Sequence, residues 1–289
     1  MANTTTIAER ALLVKLSLST WTGRYKDKTE SETVCITNRA NMDAAGVWLY
    51  SIDKPLLAPV ITAAGVVRSE FCRGTLPWQD GGYRIAASDL YMAWTGRVRS
   101  AIDGFKLAVT DFLRDYPAAT SESVIRQRFG NLADSVLCRL PHVSELAGKF
   151  SVYVDVLPMP SENDFRVSMA DSDLIEIKKR TTETIERSIG NAMAELWNQF
   201  SDLVSKIGGA MGQPDKIFRD SLITNLRDFV ELIPKMNLTN NAQLETLRQT
   251  AAAQLAALNP AELRAVPTAR QTAAANANDL LAKIREYRQ

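Results

Sequence analysis

The chain has 289 residues, 46% hydrophobic and 23% charged, and its 34 basic against 33 acidic side chains leave a net charge of +1. That balance excludes a disordered tail protein and a strongly basic nucleic-acid binder, while the length suffices for one large domain or two smaller ones. With one histidine, His142, any His-based metal site or Ser–His relay has to be built on a single imidazole.

The first element is a strand. Leu12, Val14, Leu16 and Leu18 recur at period two with Lys15 and Ser17 between them, and Trp21, Gly23, Arg24 and Lys26 form a polar exit. From about Glu30 to Ser51 the pattern turns helical. Pro55, Pro59, Gly74, Pro77, Gly81 and Gly82 then divide the next stretch into a short helix and a loop. Leu90, Trp94, Val98, Ile102, Phe105, Val109 and Phe112 trace a long amphipathic helix that Pro117 should end. Thr120 to Ser123 supplies the next helix start, with Val124 to Leu137 as its body.

Around Phe150 the period returns to two. Val152, Val154 and Val156 alternate with Tyr153 and Asp155, and Phe165 to Met169 resumes the alternation after a proline-interrupted loop. The two runs read as a hairpin, and the N-terminal strand completes a small antiparallel sheet of three, because a lone hairpin is marginal in water. Everything after Ala170 reads as helical. A helix capped at Asp171 or Ser172 carries the stripe Ile185, Ile189, Met193, Leu196, Phe200, Leu203 and Ile207, until Gly208-Gly209 stops it. Shorter helices follow from Asp215 to Ile233 and from Asn240 to Leu258. Asn259-Pro260 caps a fresh start, and Pro267 divides the last segment. The expected fold class is α+β, predominantly α-helical, with a mixed domain at 1–170 and a helical region at 171–289.

No P-loop, GxGxxG, GxSxG or HExxH pattern occurs. The cysteines Cys35, Cys72 and Cys138 stand 37 and 66 positions apart among apolar neighbours, which reads as buried reduced thiols of a reducing cytoplasm. His142 reads as a structural residue at a helix start. Asp155, Glu162, Asp164, Asp171, Asp173 and Glu176 crowd the sheet exit as a solvated acidic rim, with a hydrolase or nuclease using a divalent cation there as the competing reading. No cofactor is expected. The N-terminus carries no signal-peptide pattern, and the apolar run Pro55 to Val67 is too short to cross a bilayer, so a soluble cytoplasmic protein is expected.

For nucleic acid, Trp21, Arg24, Tyr25, Lys26 and Lys28 mix cations with aromatic rings, the chemistry that single strands use. Lys178-Lys179-Arg180 is flanked by Glu176, Glu183 and Glu186, so pairing along a helix face is the simpler reading there. The last 26 residues hold five basic and two acidic side chains, a small local excess that could touch phosphate.

The opening Leu12 to Lys28 stretch, with Val156-Leu-Pro-Met-Pro160 and Phe165-Arg-Val167 downstream, resembles an uncharacterised domain-of-unknown-function family of bacteriophages and mobile elements. Members of that family are encoded beside MoxR/CobS-type AAA+ ATPases. The resemblance implies a phage or mobile-element protein working with such machinery, and it carries no catalytic residues; because the sequence spends its information on helix faces and shows no convergent polar constellation, a non-enzymatic helical adaptor or assembly partner of such an ATPase in a bacterial host cell is expected. A homo-oligomer formed through the C-terminal helices and a nucleic-acid-binding protein of a recombination or host-takeover module are the accompanying expectations.

Overall fold

Strand β1, Ala11–Ser19, forms where the period-two alternation places it, and the computed structural model describes residues 10–79, 81–160, 171–213 and 216–287. Both faces of its first half are covered: Leu13 and Val14 are both buried, although they point to opposite sides. β4, Thr75–Pro77, and β5, Tyr83–Ala87, join β1 and β6, Ser151–Pro158, in a four-stranded sheet of order β4-β5-β1-β6. β1 pairs antiparallel with β5 in the register Leu13↔Ile85, and β4 pairs antiparallel with β5 in the register Leu76↔Ile85.

Among the described residues the sheet thus has four strands, where the sequence suggests three. Gly81 and Gly82 mark the turn of a short hairpin that composition alone reads as a loop. Gly82 sits at φ +79°, and Trp78 N donates to Tyr83 O at 3.1 Å. The expected strand Phe165 to Met169 lies outside the described residues. A second sheet is a two-stranded antiparallel ribbon of β2, Arg24–Asp27, and β3, Val47–Tyr50. It replaces most of the helix expected over Glu30 to Ser51: only α1, Lys28–Thr37, is helical there. Asn38 stops it by donating its side-chain amide to Val34 O at 2.8 Å.

α2, Lys54–Cys72, runs through Pro59, and α3, Ser88–Ala119, runs through Pro117. Pro59 lies in the second turn of α2 and Pro117 in the last turn of α3, so each leaves the carbonyl four residues earlier, that of Pro55 and that of Leu113, without its helical N–H donor. By length and composition α2 could cross a membrane, longer than the run the sequence suggests, and it packs Leu57, Val60, Ala64, Val67 and Phe71 into a protein core. The helices α4, Glu122–Phe129, α5, Ala133–Leu137, and α6, Val143–Ala147, follow. After β6 come α7, Asp171–Met211, α8, Ser221–Met236, α9, Ala242–Ala251, with a π-turn at Ala252–Ala256, then α10, Pro260–Ala265, and α11, Pro267–Tyr287. The fold is α+β and predominantly helical.

The chain divides into two compact units that interleave in sequence. One comprises residues 1–15, 72–94 and 155–289, and the other residues 16–71 and 95–154, whereas the sequence reading places a single boundary at residue 170. In the first unit, the α7 stripe of Ile189, Leu196, Phe200, Val204 and Ile207 is buried with Ile223, Leu226 and Ile233 of α8 and Ala277, Leu280 and Ile284 of α11. Gly208 does not stop α7. A Cβ there would stand 3.5 Å from Ala277 Cβ and 3.2 Å from the Asn278 side-chain oxygen, so the glycine lets α11 pack closely at this point. In the second unit, Leu57, Val60, Ala64 and Val67 meet Phe105, Phe112 and Tyr116, with Leu146 of α6 closing the cluster. A smaller cluster of Leu49, Ile125, Ala133 and Val136 lies behind the ribbon.

Candidate nucleic-acid interface

The ribbon β2–β3 sorts its side chains by the pleat. Arg24 pairs with Tyr50, Tyr25 with Leu49, Lys26 with Trp48 and Asp27 with Val47. Alternation therefore gathers Arg24, Lys26, Trp48 and Tyr50 on one face, and Tyr25, Asp27, Val47 and Leu49 on the other.

The inward face is a hydrogen-bonded hub. Asp27 is buried and caps α1: its Oδ1 accepts from Glu30 N at 3.1 Å and its Oδ2 from Ser135 Oγ at 2.6 Å. Ser31 Oγ donates to the Asp27 carbonyl, and Val47 N donates to Ser31 Oγ at 2.9 Å. Tyr25 donates its hydroxyl to the Ser135 carbonyl at 3.0 Å, and the Arg139 guanidinium lies 4.6 Å from its ring centroid. The Ser135 hydroxyl and the Glu30 N–H hold the Asp27 carboxyl below its ordinary pKa, while burial pushes the Tyr25 phenol up. This hub fixes the ribbon against α5, so the outward face is held rigid from behind.

The outward face is aromatic and cationic. Trp48 is 50% exposed and Tyr50 37%. The Arg24 guanidinium lies 5.1 Å from the Trp48 ring centroid, and Lys54 Nζ lies 5.0 Å from that of Tyr50. Lys26 is exposed beside them, and a Cβ added at Gly46 would stand 2.9 Å from its Cε, so the lysine stem lies across that glycine. Among the described residues no carboxylate pairs with Arg24, Lys26, Lys28 or Lys54; the nearby Asp53 is taken by Arg128 at 2.9 Å. Beside Tyr50 opens a cleft of about 300 Å³, walled by Ile52, Leu57 and Ile61 and bearing the polar groups of Thr22, Asp53 and Lys54.

Of the residues singled out in the sequence, Arg24 and Lys26 stand on this face and Lys28 is exposed at the start of α1. Trp21 and Tyr25 do not join them. Trp21 is half-buried and packs against the core, 6.2 Å from the Phe112 ring centroid and 6.0 Å from that of Tyr116, and Tyr25 faces the hub. The aromatic partners are instead Trp48 and Tyr50, hidden from sequence reading by the helical pattern assigned across them. The run of β-branched and aromatic residues Val47-Trp48-Leu49-Tyr50, bounded by Gly46 and Ser51, is the local signal of a short strand.

The other candidates resolve into structural positions. His142 caps α6, its Nδ1 accepting from Ser144 N at 3.4 Å. Cys35 is buried, but Cys72 and Cys138 are exposed, against the expectation of three buried thiols; both sit at helix ends, where an apolar sequence neighbourhood does not enforce burial. Arg180 pairs with Glu176, and Lys179 lies 4.0 Å from Glu183, as helix-face pairing requires. Most of the acidic rim lies outside the described residues, and among those described no group of three His, Cys, Asp or Glu side chains is placed to hold a metal ion. Near the C-terminus, Arg264 pairs with Asp220 and Arg270 donates to the carbonyls of Ala210 and Lys216 at 2.8 and 2.5 Å. No family model, curated protein or solved structure matches this chain.

Proposed function

We propose that the chain is a binding protein for single-stranded nucleic acid and that the outward face of the β2–β3 ribbon is its contact surface. The observation that carries this reading is the placement of two exposed aromatic rings, Trp48 and Tyr50, among cations with which no carboxylate of the described residues pairs. Rings at positions i and i+2 of one strand stand about 7 Å apart on the same face, which suits two successive unstacked bases of an extended strand. Base stacking on the rings and phosphate contact with Arg24, Lys26 and Lys54 are the two terms such binding needs. A duplex hides its base faces, so it gains only the phosphate term. The cleft beside Tyr50 has room for one splayed base. The adaptor role with an AAA+ ATPase stays an expectation of the family resemblance; the ribbon supports the nucleic-acid reading.

Fluorescence anisotropy with a labelled oligothymidine and a duplex of equal length tests this. The single strand should bind more tightly, with log K falling against log salt at a slope of roughly −2, as three phosphate contacts require. Arg24→Ala and Lys26→Ala should each flatten that slope by about 0.7. Equal binding of strand and duplex, or no binding at low salt, contradicts the reading.

A further inference from the structure

The cleft beside Tyr50 carries chemistry that neither ring stacking nor phosphate contact uses. Asp53 lines it together with Thr22 and Thr62, between the apolar walls that Ile52, Leu57 and Ile61 supply. The Asp53 carboxylate is held from one side: its Oδ1 lies 2.9 Å from Arg128 Nη1, and the Arg128 guanidinium lies 4.9 Å from the Phe129 ring centroid. A carboxylate accepts at about four lone-pair positions. The Arg128 contact occupies one of them, no other cation of the described residues pairs with Asp53, and its side chain is 66% exposed. An acceptor with capacity to spare thus lines a cleft that has room for one base.

The bases differ in what they offer such an acceptor. Out of a duplex, guanine presents two adjacent donors on its Watson–Crick edge, N1–H and the 2-amino group, spaced to meet the two oxygens of one carboxylate. Adenine and cytosine each present one amino group beside a ring nitrogen that is itself an acceptor. Thymine and uracil set N3–H between two carbonyl oxygens, which a carboxylate repels. The phosphates of the strand are repelled as well, so the carboxylate favours entry of a base edge over entry of the backbone. Guanine O6 then needs a donor, which the hydroxyl of Thr22 or Thr62 supplies. We propose that the cleft beside Tyr50 reads one base of the bound strand and selects guanine through the Asp53 carboxylate. The inference rests on the single-strand reading of the ribbon and adds a sequence preference to it, because stacking and phosphate contact are tolerant of sequence and a fixed acceptor is not.

Anisotropy titrations of the full chain with labelled pentanucleotides test it, using pentathymidine and counterparts with guanine, hypoxanthine, adenine or cytosine at the centre. The guanine strand should bind about tenfold more tightly than pentathymidine, and the hypoxanthine strand, which lacks the 2-amino group, about threefold. The strands carry equal charge, so these ratios should hold while every affinity falls with salt. Asp53→Asn, which sets an amide donor against the donors of guanine, should bring the guanine strand to the level of pentathymidine. Arg128→Gln removes the ion pair but keeps the carboxylate and should retain a guanine preference; its loss in both variants assigns Asp53 a merely structural role and overturns the proposal. Equal binding of all the strands overturns the proposal and leaves the single-strand reading standing, whereas no binding of any strand at low salt overturns both. Adenine or cytosine bound as tightly as guanine, or a guanine preference that survives Asp53→Asn, also overturns it. Guanosine monophosphate bound as tightly as the guanine strand gives the cleft to a free nucleotide and overturns the reading of a base within a strand.

Discussion

The arginines of the C-terminal helices and the cations of the ribbon stand in opposite situations. Arg264 is matched with Asp220 and lies 4.9 Å from the Phe218 ring centroid, Arg227 donates to the Ala256 carbonyl at 2.9 Å, and Arg248 is paired with Glu245 at 2.6 Å. These side chains close loops, cap helix ends and answer nearby carboxylates. On the ribbon, Arg24 and Lys54 lie against rings that are themselves exposed, and Lys26 extends over a glycine. A net charge of +1 conceals this separation. Charge balance over a whole chain excludes a generally basic protein, but it does not exclude a small face whose cations pair with no carboxylate of the described residues.

The contrast predicts a double dissociation between stability and binding. The largest effect belongs to the aromatic core of the second unit, where Phe112 lies 5.6 Å from the Phe150 ring centroid and 5.8 Å from that of Tyr116. Phe112→Ala should cost about 3–5 kcal/mol, read as a lower urea midpoint. Asp27→Asn comes next, at about 1–3 kcal/mol, because it leaves a buried hydrogen-bond network short of an acceptor. Its pH dependence follows from the direction of the shift. The folded carboxyl titrates below its unfolded value, so its stabilisation is complete above roughly pH 4 and is lost as pH falls through the folded-state pKa. Urea unfolding of wild type and D27N should therefore differ most at neutral pH and draw together as the pH falls through the lowered folded-state pKa of Asp27. A gap that stays constant with pH contradicts the charged hub.

Trp48→Ala should show the reverse profile. It should lose about 1–3 kcal/mol of single-strand affinity while the urea midpoint moves by no more than about 0.5 kcal/mol equivalent, as an exposed position requires. The smallest effect is expected at Arg264→Ala. Its pair with Asp220 is 45% and 65% exposed, so stability should fall by about 1 kcal/mol or less, and nucleic-acid affinity should not change. A loss of affinity in R264A, measured by anisotropy, removes the distinction between the two groups of cations.

Long periodic elements were legible in the sequence because their stripes outlast local noise. Leu90 to Phe112 on α3 and Ile185 to Ile207 on α7 are helical as their spacing requires, and Asn259 caps α10 by accepting from Ala261 N at 2.9 Å. Short strands were not legible. β3 has four residues and β4 three, too few for a period-two pattern to stand out from neighbouring helical spacing. Glycines misled in both directions: Gly208 lies inside α7 as a contact point, whereas Gly82 turns a hairpin that resembles a loop. The candidate face was half legible. Arg24 and Lys26 follow from local composition, but their aromatic partners come from a strand more than 20 residues onward, and only the ribbon register brings Trp48 and Tyr50 beside them.

The most direct test uses Trp48 as its own reporter. The chain has five tryptophans, and Trp78, Trp94 and Trp197 are buried while Trp21 packs among Phe112 and Tyr116, which leaves Trp48 as the ring a ligand reaches first. Titration with oligothymidine, monitored by intrinsic fluorescence, should quench a part of the emission that disappears in Trp48→Phe, with the quenching reversed by added salt. Quenching that persists undiminished in Trp48→Phe, or its complete absence in the wild type at low salt, contradicts the assignment of this face as the nucleic-acid contact.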